Sequence, residues 1–137
     1  FKYDKNIFYL SGNGKVKIDK EYEKINYFVS KNKNNIDFDF DLNLNKTQVK
    51  IAQITYQTKQ KSNCKIKVIG NFYNDNNLNL ERFNISEKNN KIEVNNLVLD
   101  NNYLIKNINS FNFDYIYIEN KLNHFNIKKI SKNNYEI

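Results

Sequence analysis

The stretch I-D-F-D-F-D-L-N-L, Ile36 to Leu44, alternates apolar and polar side chains at every position. Successive side chains of a β-strand point to opposite faces of a sheet, so this alternation predicts a strand with one buried and one solvated face. We expect Phe38 and Phe40 on the buried face. The solvated face then carries three carboxylates in a row, those of Asp37, Asp39 and Asp41.

The three acids are compatible with a cation site, with a catalytic pair, or with the wet side of the strand. Alternate side chains on one strand lie ~6.5–7 Å apart. A Ca²⁺ ion takes six or more oxygens at ~2.4 Å, which a straight row does not supply by itself. Nothing in the neighbouring sequence separates the pKa values of two of the acids, as acid–base catalysis requires. We therefore interpret them as an outer face, paired with the lysines that follow, namely Lys50, Lys65 and Lys67.

Length and composition limit the kind of protein. The 137 residues fit one domain, and we expect a single β-sandwich domain over residues 1–137. The sequence begins at Phe1 and contains no Met, which favours a piece of a larger protein. It contains no apolar run near the ~18 residues that a membrane span needs.

The formal net charge of +7 raises nucleic acid or an anionic surface as a partner. The lysines are scattered between apolar strand positions, and Arg82 is the one arginine, so the guanidinium groups that clamp phosphate are almost missing. Asn, Lys and Ile are abundant and have A/T-rich codons, which indicates that genome composition contributes to the charge. We interpret the lysines as a solvated surface and rank nucleic acid below other partners.

The period of two recurs along almost the whole sequence, and no segment shows a sustained helical stripe. The glycines of S-G-N-G, residues 11–14, tolerate a positive φ and predict a hairpin between Ile7–Leu10 and Lys15–Ile18. Val49–Gln57 is predicted to be one strand with a bulge near Ala52 and Gln53, where the apolar phase slips by one residue. About ten short strands with polar connections predict an all-β fold, an antiparallel β-sandwich of jelly-roll type.

The residues that carry most enzyme chemistry are rare in this sequence. Cys64 is the only cysteine, and in C-K-I-K-V it is in phase with the apolar positions, so we expect a buried, unreactive thiol. His124 is the only histidine and is expected at a solvent-facing strand start, whereas a zinc site usually needs three or four such ligands. We therefore predict no catalytic residue, no metal site and no cofactor, and a protein that is not an enzyme.

The aromatic residues near the C-terminus are the most suggestive of a ligand. In F-N-F-D-Y-I-Y-I-E, residues 111–119, the isoleucines have one parity and the aromatic rings the other. If the isoleucines face the core, two tyrosines line an outer or concave face, where flat rings can stack on the C–H faces of sugars. Asparagine amides add paired hydrogen bonds to adjacent hydroxyls. The predicted ligand-binding residues are Tyr115 and Tyr117 for stacking, with Asn71, Tyr73 and Arg82 as polar contacts.

The order and hydrophobic rhythm of the strands resemble those of the jelly-roll sandwiches in the galactose-binding-like superfamily. The stretches that carry the resemblance are I-D-F-D-F-D-L (36–42), V-K-I-A-Q-I-T-Y (49–56), C-K-I-K-V-I-G-N (64–71), F-D-Y-I-Y-I-E (113–119) and F-N-I-K-K-I (125–130). That superfamily includes many carbohydrate-binding modules and accessory domains of polysaccharide-processing enzymes. The resemblance implies a non-catalytic accessory domain and assigns no binding residue.

We expect a non-catalytic accessory module that binds or positions carbohydrate for a larger protein, with carbohydrate or a neighbouring domain as its partner. Two other classes stay open. One is a structural or protein-interaction β-sandwich module of a surface protein or assembly. The other is a binder of single-stranded nucleic acid that uses basic and aromatic residues.

Overall fold

A computed structural model describes residues 2–4, 7–52, 55–59, 61–73, 77–116, 122–131 and 134–136. Within these ranges the chain forms β-strands and no α-helix, and none of the chain they cover could cross a bilayer as a long apolar helix. The strands are β1 Lys2–Asp4, β2 Ile7–Ile18, β3 Glu21–Lys31, β4 Asn35–Leu44, β5 Lys50–Ile51, β6 Tyr56–Gln57, β7 Cys64–Tyr73, β8 Leu78–Glu87, β9 Asn90–Leu99, β10 Ile105–Asn107, β11 Ser110–Ile116, β12 Leu122–Ser131 and β13 Asn134–Glu136.

The main feature of the fold is one eleven-stranded antiparallel sheet. Its order is β1-β2-β3-β4-β7-β8-β9-β11-β12-β13, and β10 also pairs with β9. Strands β5 and β6 form a separate two-stranded sheet inserted between β4 and β7. The predicted all-β, antiparallel fold is confirmed. The jelly-roll arrangement is not confirmed, because the order of strands in the main sheet follows their order in the chain.

The register places apolar side chains in rows that run across the strands. Directly paired residues of neighbouring strands have their side chains on the same face, so each row lies on one face of the sheet, which we call the apolar face. The first row contains Leu42, Ile66, Ile85, Ile92, Phe113 and Phe125, and the middle row contains Phe40, Val68, Phe83, Val94, Phe111 and Ile127. The end row contains Ile36, Phe72, Leu78, Leu99 and Ile105.

A register shift between β7 and β8 keeps this face apolar along its whole length. Ile69 pairs with Arg82, but the next residue, Gly70, pairs with Leu80, so Glu81 is the extra residue. A β-bulge of this kind changes the phase of a strand by one residue. The shift therefore lets the leucines at the start of β8 join the same face as the apolar residues at its end.

The predicted hairpin at residues 11–14 is wrong. Strand β2 runs through both glycines, with Gly12 opposite Tyr27 and Gly14 opposite Ile25, and the chain turns at Asp19, whose φ is 53°. A Cβ atom on Gly12 would lie 2.9 Å from the hydroxyl oxygen of Tyr27. The glycine is therefore explained by the ring that covers it and not by a turn.

The prediction of one bulged strand over Val49–Gln57 is also wrong. Strands β5 and β6 pair with each other, with Lys50 opposite Gln57 and Ile51 opposite Tyr56. Thr55, just before β6, has a φ of 53° and helps to reverse the chain direction. The slip in the apolar phase marks a hairpin.

Gly70 offers a direct test of the packing on the apolar face. A Cβ atom there would overlap the backbone oxygen of Asn79 and would lie 2.9 Å from the ring of Phe38. We expect Gly70→Ala to lower the free energy of unfolding by about 1–3 kcal/mol, as overpacking does. Denaturant unfolding followed by circular dichroism measures this change.

Gly14→Ala is the matched control, since no atom lies within 4 Å of a Cβ built there and neither glycine has a positive φ. We expect this control to leave stability unchanged or to raise it by up to about 1 kcal/mol, because alanine restricts the unfolded chain. Equal stability of the two variants would contradict the register of β7.

Candidate functional site

One end of the apolar face is covered by the connection between β4 and β7. We call residues 45–52 and 55–59 the cover segment. Its apolar side chains Val49, Ile51 and Tyr56 pack on the first row and on its neighbours at that end of the strands, where the buried cluster is formed by Leu44, Tyr56, Cys64, Ile85, Ile92 and Phe113. The hydrophobic core therefore lies at one end of the sheet.

A buried carboxylate holds the start of the cover segment. Glu23 is 2% exposed, and its oxygens accept the backbone N–H groups of three successive residues. Asn45 donates to Oε2 at 2.9 Å, and Lys46 and Thr47 donate to Oε1 at 2.8 and 2.6 Å. Burial by itself raises the pKa of Glu23, but these hydrogen bonds outweigh burial, and the pKa is lowered below its ordinary value.

A second buried carboxylate holds the end of the cover segment. Glu87 is 2% exposed and accepts the backbone N–H of Lys59 at 2.8 Å. Burial, together with the charge of Glu87, raises the pKa of the Cys64 thiol to about 11. The prediction of a buried thiol is confirmed, and this high pKa keeps Cys64 protonated and weakly nucleophilic near neutral pH.

Beyond the cover segment the apolar face is open. In the middle row Phe40, Val68 and Phe83 are partly exposed, and in the end row Ile36 and Phe72 are 36% and 39% exposed. We call the part of the face beyond the cover segment the open surface; between β4 and β9 it consists of Ile36, Phe38, Phe40, Val68, Gly70, Phe72, Leu78, Leu80, Phe83, Val94, Leu97 and Leu99. Each of these residues has a hydrocarbon side chain or none. Within this set Phe38, Gly70 and Val94 are buried by their neighbours in the sheet.

The total accessible surface agrees with an open face. The molecule exposes 9882 Å², whereas a compact monomer of 16.5 kDa exposes about 7,500 Å². The surplus of roughly 2,300 Å² counts polar and apolar atoms together and is consistent with a single sheet layer that leaves part of one face uncovered. Large exposed apolar patches mark sites for proteins, membranes or apolar ligands.

The opposite face of the sheet is polar, and its contacts show how the three acids of β4 are used. The ammonium group of Lys67 lies 2.6 Å from Oδ1 of Asp39 and 2.7 Å from Oδ2 of Asp41. These hydrogen bonds raise the pKa of Lys67. Asp37 accepts a hydrogen bond from the amide of Asn35 at 2.7 Å. Lysine pairing is thus confirmed for one of the three predicted lysines.

The other two lysines do not pair as predicted. Lys65 is exposed and lies opposite Asn43, and Lys50 belongs to β5, away from β4. His124 is exposed, and its Nδ1 contacts the carboxylate of Asp114 on the neighbouring strand. In the described ranges no three His, Cys, Asp or Glu side chains come together as a metal site would require.

The predicted ligand-binding residues are divided between the two faces. Asn71 is buried, with its amide 3.3 Å from Oε1 of Glu81. Tyr73 and Arg82 are exposed, and their register places them on the polar face with Asn71. Tyr117 lies outside the described residues.

The side chain of Tyr115 lies on the apolar face, opposite to Asn71, Tyr73 and Arg82. Its ring lies 6.1 Å from that of Tyr56 and 5.4 Å from that of Phe113, which is buried. The assignment of Tyr115 to an outer face is therefore wrong, and the structure does not bring it together with Asn71, Tyr73 and Arg82. Its role in ligand binding stays a prediction without a common site.

A polar depression on the same face as the acid row was missed by the sequence analysis. It has a volume of about 640 Å³ and spans β9, β11 and β12. The amide of Asn95 donates to the hydroxyl oxygen of Ser110 at 3.0 Å, and Asn126 contacts Asn112 on the neighbouring strand. Asparagine is so common in this sequence that its presence at these positions gave no signal.

Comparison with known proteins adds no identity: no family model, no curated protein and no solved structure matches the chain.

The carboxylate that holds the cover segment can be tested by Glu23→Gln. The amide keeps the size but loses the charge and one of the two acceptor oxygens, so we expect a loss of about 1.5–3 kcal/mol in the free energy of unfolding near neutral pH. The matched control is Glu21→Gln on the same strand, whose exposed ion pair with Lys46 is 3.4 Å long. Its effect should stay within about 0.5 kcal/mol.

The loss should also depend on pH in a defined direction. The folded-state pKa of Glu23 lies below its ordinary value of 4.5, so its contribution is complete above that value and disappears as pH falls through the folded-state pKa. Denaturant unfolding at a series of pH values should show the wild type and Glu23→Gln converging in acid. A difference that is unchanged at the lowest pH would contradict this role.

Proposed function

We propose that this protein binds long hydrocarbon chains, such as those of a lipid, on the open surface. The observation that carries the proposal is the contrast along one face of one sheet. The first row contains three buried side chains, those of Ile85, Ile92 and Phe113, at the end that the cover segment packs on. The middle and end rows carry the same kind of side chain, and in the middle row only Val94 among the described residues is buried.

The chemistry of the open surface favours hydrocarbon over a polar ligand. Its side chains offer no hydrogen-bond donor or acceptor in the set between β4 and β9, and the backbone groups there are used by the sheet. A ligand that forms no hydrogen bonds in water therefore loses none when it binds to the open surface, whereas burying an unpaired polar group there costs ~1–3 kcal/mol. Each buried methylene of a hydrocarbon chain contributes about 0.8 kcal/mol.

The length of the middle row suits an extended hydrocarbon chain. The middle row crosses β4, β7, β8, β9, β11 and β12, and it begins one strand earlier because Phe40 lies opposite Tyr27 of β3. Six strand spacings of ~4.8 Å give a track of roughly 29 Å. A single long acyl chain can lie along such a row between the rows on either side.

The test compares two positions on one strand. Val68 belongs to the open surface, and the adjacent Ile69 points to the polar face; both side chains are partly exposed. We expect Val68→Asn to weaken binding of a pyrene-labelled long-chain fatty acid at least about tenfold, because a polar amide then lies in the ligand's path. Ile69→Asn should bind within about twofold of the wild type, since its change lies on the other face.

Fluorescence titration of the labelled fatty acid measures both affinities, and circular dichroism confirms that both variants are folded. Equal weakening by the two variants, or no binding by the wild type, would contradict the proposal. A protein partner on the open surface, as in a structural or interaction module, would appear as a dimer or a complex that leaves the fatty acid unbound.

Carbohydrate binding is retained as a second candidate because of the polar depression on the opposite face. Amide and hydroxyl groups from Asn95, Ser110, Asn112 and Asn126 line it together with Lys128, and such groups suit sugar hydroxyls. A glycan array separates the two functions, since sugar binding at that depression would not respond to Val68→Asn. Binding of single-stranded nucleic acid would instead collapse between ~50 and ~200 mM salt.

A further inference from the structure

Three consecutive apolar side chains are exposed in the hairpin between β9 and β10. Tyr103, Leu104 and Ile105 are 71%, 64% and 68% exposed, which places them among the most exposed large apolar side chains of the described residues. They follow each other directly in sequence. Scattered single apolar residues on a surface need no explanation, but a contiguous group of three does.

The hairpin is held in one conformation by Asp100. Its Oδ1 accepts the backbone N–H groups of Asn102 and Leu104 at 2.8 and 3.0 Å. Its backbone N–H donates to the oxygen of Leu104, and Tyr103 donates its own N–H to the oxygen of Asp100, both at 3.0 Å. The apolar side chains are thus displayed by a hydrogen-bonded turn.

The exposed group is continuous with the open surface. Ile105 lies opposite Leu99 and ends the row that continues through Leu78 and Phe72 to Ile36. Ile36 and Phe72 of this row are 36% and 39% exposed, and the cover segment lies at the other end of the strands. A hydrocarbon chain entering the open surface from this end would pass the hairpin first.

Charge at this end is mixed, with a basic excess over the whole protein. Lys31 lies opposite Ile36, Lys106 follows Ile105, and Lys33 lies in the preceding turn; all three are exposed. Among the described residues near the end row, Asp37, Glu81 and Asp100 are acidic; the carboxylates of Asp37 and Asp100 accept the hydrogen bonds described above, and that of Glu81 accepts one from Asn71. The net charge of +7 attracts the protein to an anionic surface.

We propose that this end of the sheet docks on the surface of an anionic lipid bilayer, with Tyr103, Leu104 and Ile105 inserted at the interface. The inference deepens the proposed function and rests on it, because docking there would place the open surface next to a source of hydrocarbon chains. By themselves the three side chains cover too little surface for a protein interface, which buries about 800 Å² on each partner, and the proposed function assigns the adjoining open surface to hydrocarbon. A small apolar group suits a bilayer, where it acts together with the net positive charge of the whole protein.

The test is flotation of the protein with vesicles of phosphatidylcholine containing increasing phosphatidylglycerol. The variant is Tyr103→Asn with Leu104→Asn; Tyr103 has a φ of 60°, a conformation that asparagine tolerates better than tyrosine, so the turn should be retained. We expect wild-type binding to increase with the anionic fraction and the double variant to bind at least about tenfold less. Salt should weaken the wild-type interaction.

The matched control is Tyr22→Asn with Leu122→Asn. These residues are 59% and 64% exposed and lie at the other end of the strands, near the Asp19 turn and the β12 start. We expect the control to bind vesicles as the wild type does. Equal losses in both double variants would overturn the assignment of docking to this end.

The fatty-acid titration separates the two proposals. Fatty-acid binding without vesicle binding would overturn the docking proposal and leave the proposed function standing. Vesicle binding without fatty-acid binding would overturn the proposed function. Self-association that disappears in the Tyr103→Asn, Leu104→Asn variant would assign the group to contacts between copies of the chain and overturn docking on lipid.

Discussion

The structure depends on how one sheet with an apolar face is shielded from water. Antiparallel pairing satisfies the backbone of each strand, but it leaves a whole face of hydrocarbon side chains that must be covered by something. The chain covers one end of this face with residues from its own β4–β7 connection. Two buried glutamates, Glu23 and Glu87, hold that connection through its backbone N–H groups. The rest of the face is left open.

This arrangement would separate the part of the sheet that gives stability from the part that we propose binds lipid. The buried cluster around Cys64, Ile85 and Ile92 supplies the core. The rows further along the same strands have the same composition without the cover, and they end in the exposed hairpin at Tyr103. A lipid ligand would therefore complete the apolar face in the way that the cover segment completes its other end. The polar face has its own pairing, shown by Lys67 between Asp39 and Asp41.

Alternation predicted the elements with a regular period of two. Phe38, Phe40, Ile66 and Val68 share the apolar face, as expected from their parity, although only Phe38 is buried and the others are partly exposed. The alternation rule gave the wrong face for Tyr115. Both the odd and the even positions of that strand are apolar, and Tyr115 lies on the same face as Phe113, which is buried. Gly12 misled for another reason: a turn and a place for a covering ring both require a small residue.

The candidate site was beyond the reach of sequence patterns. A period of two in the sequence shows that one face of a strand is apolar, but it does not show whether another layer of the protein covers that face. The hold of Glu23 on residues 45–47 joins positions more than twenty residues apart in the chain, and no local pattern marks it. The predicted sugar contacts were chosen by residue type, and the register then placed Tyr115 and Asn71 on opposite faces.

Accessibility of single cysteines tests the central claim, that the apolar face is covered at one end and open beyond it. Val68→Cys and Ile92→Cys each place a thiol on this face, the first on the open surface and the second under the cover segment, and the native Cys64 is fully buried. Under native conditions a maleimide should modify Val68→Cys quickly, while Ile92→Cys and Cys64 stay protected until the protein unfolds. Equal protection of Val68→Cys and Ile92→Cys would show that the face is closed and would contradict the account.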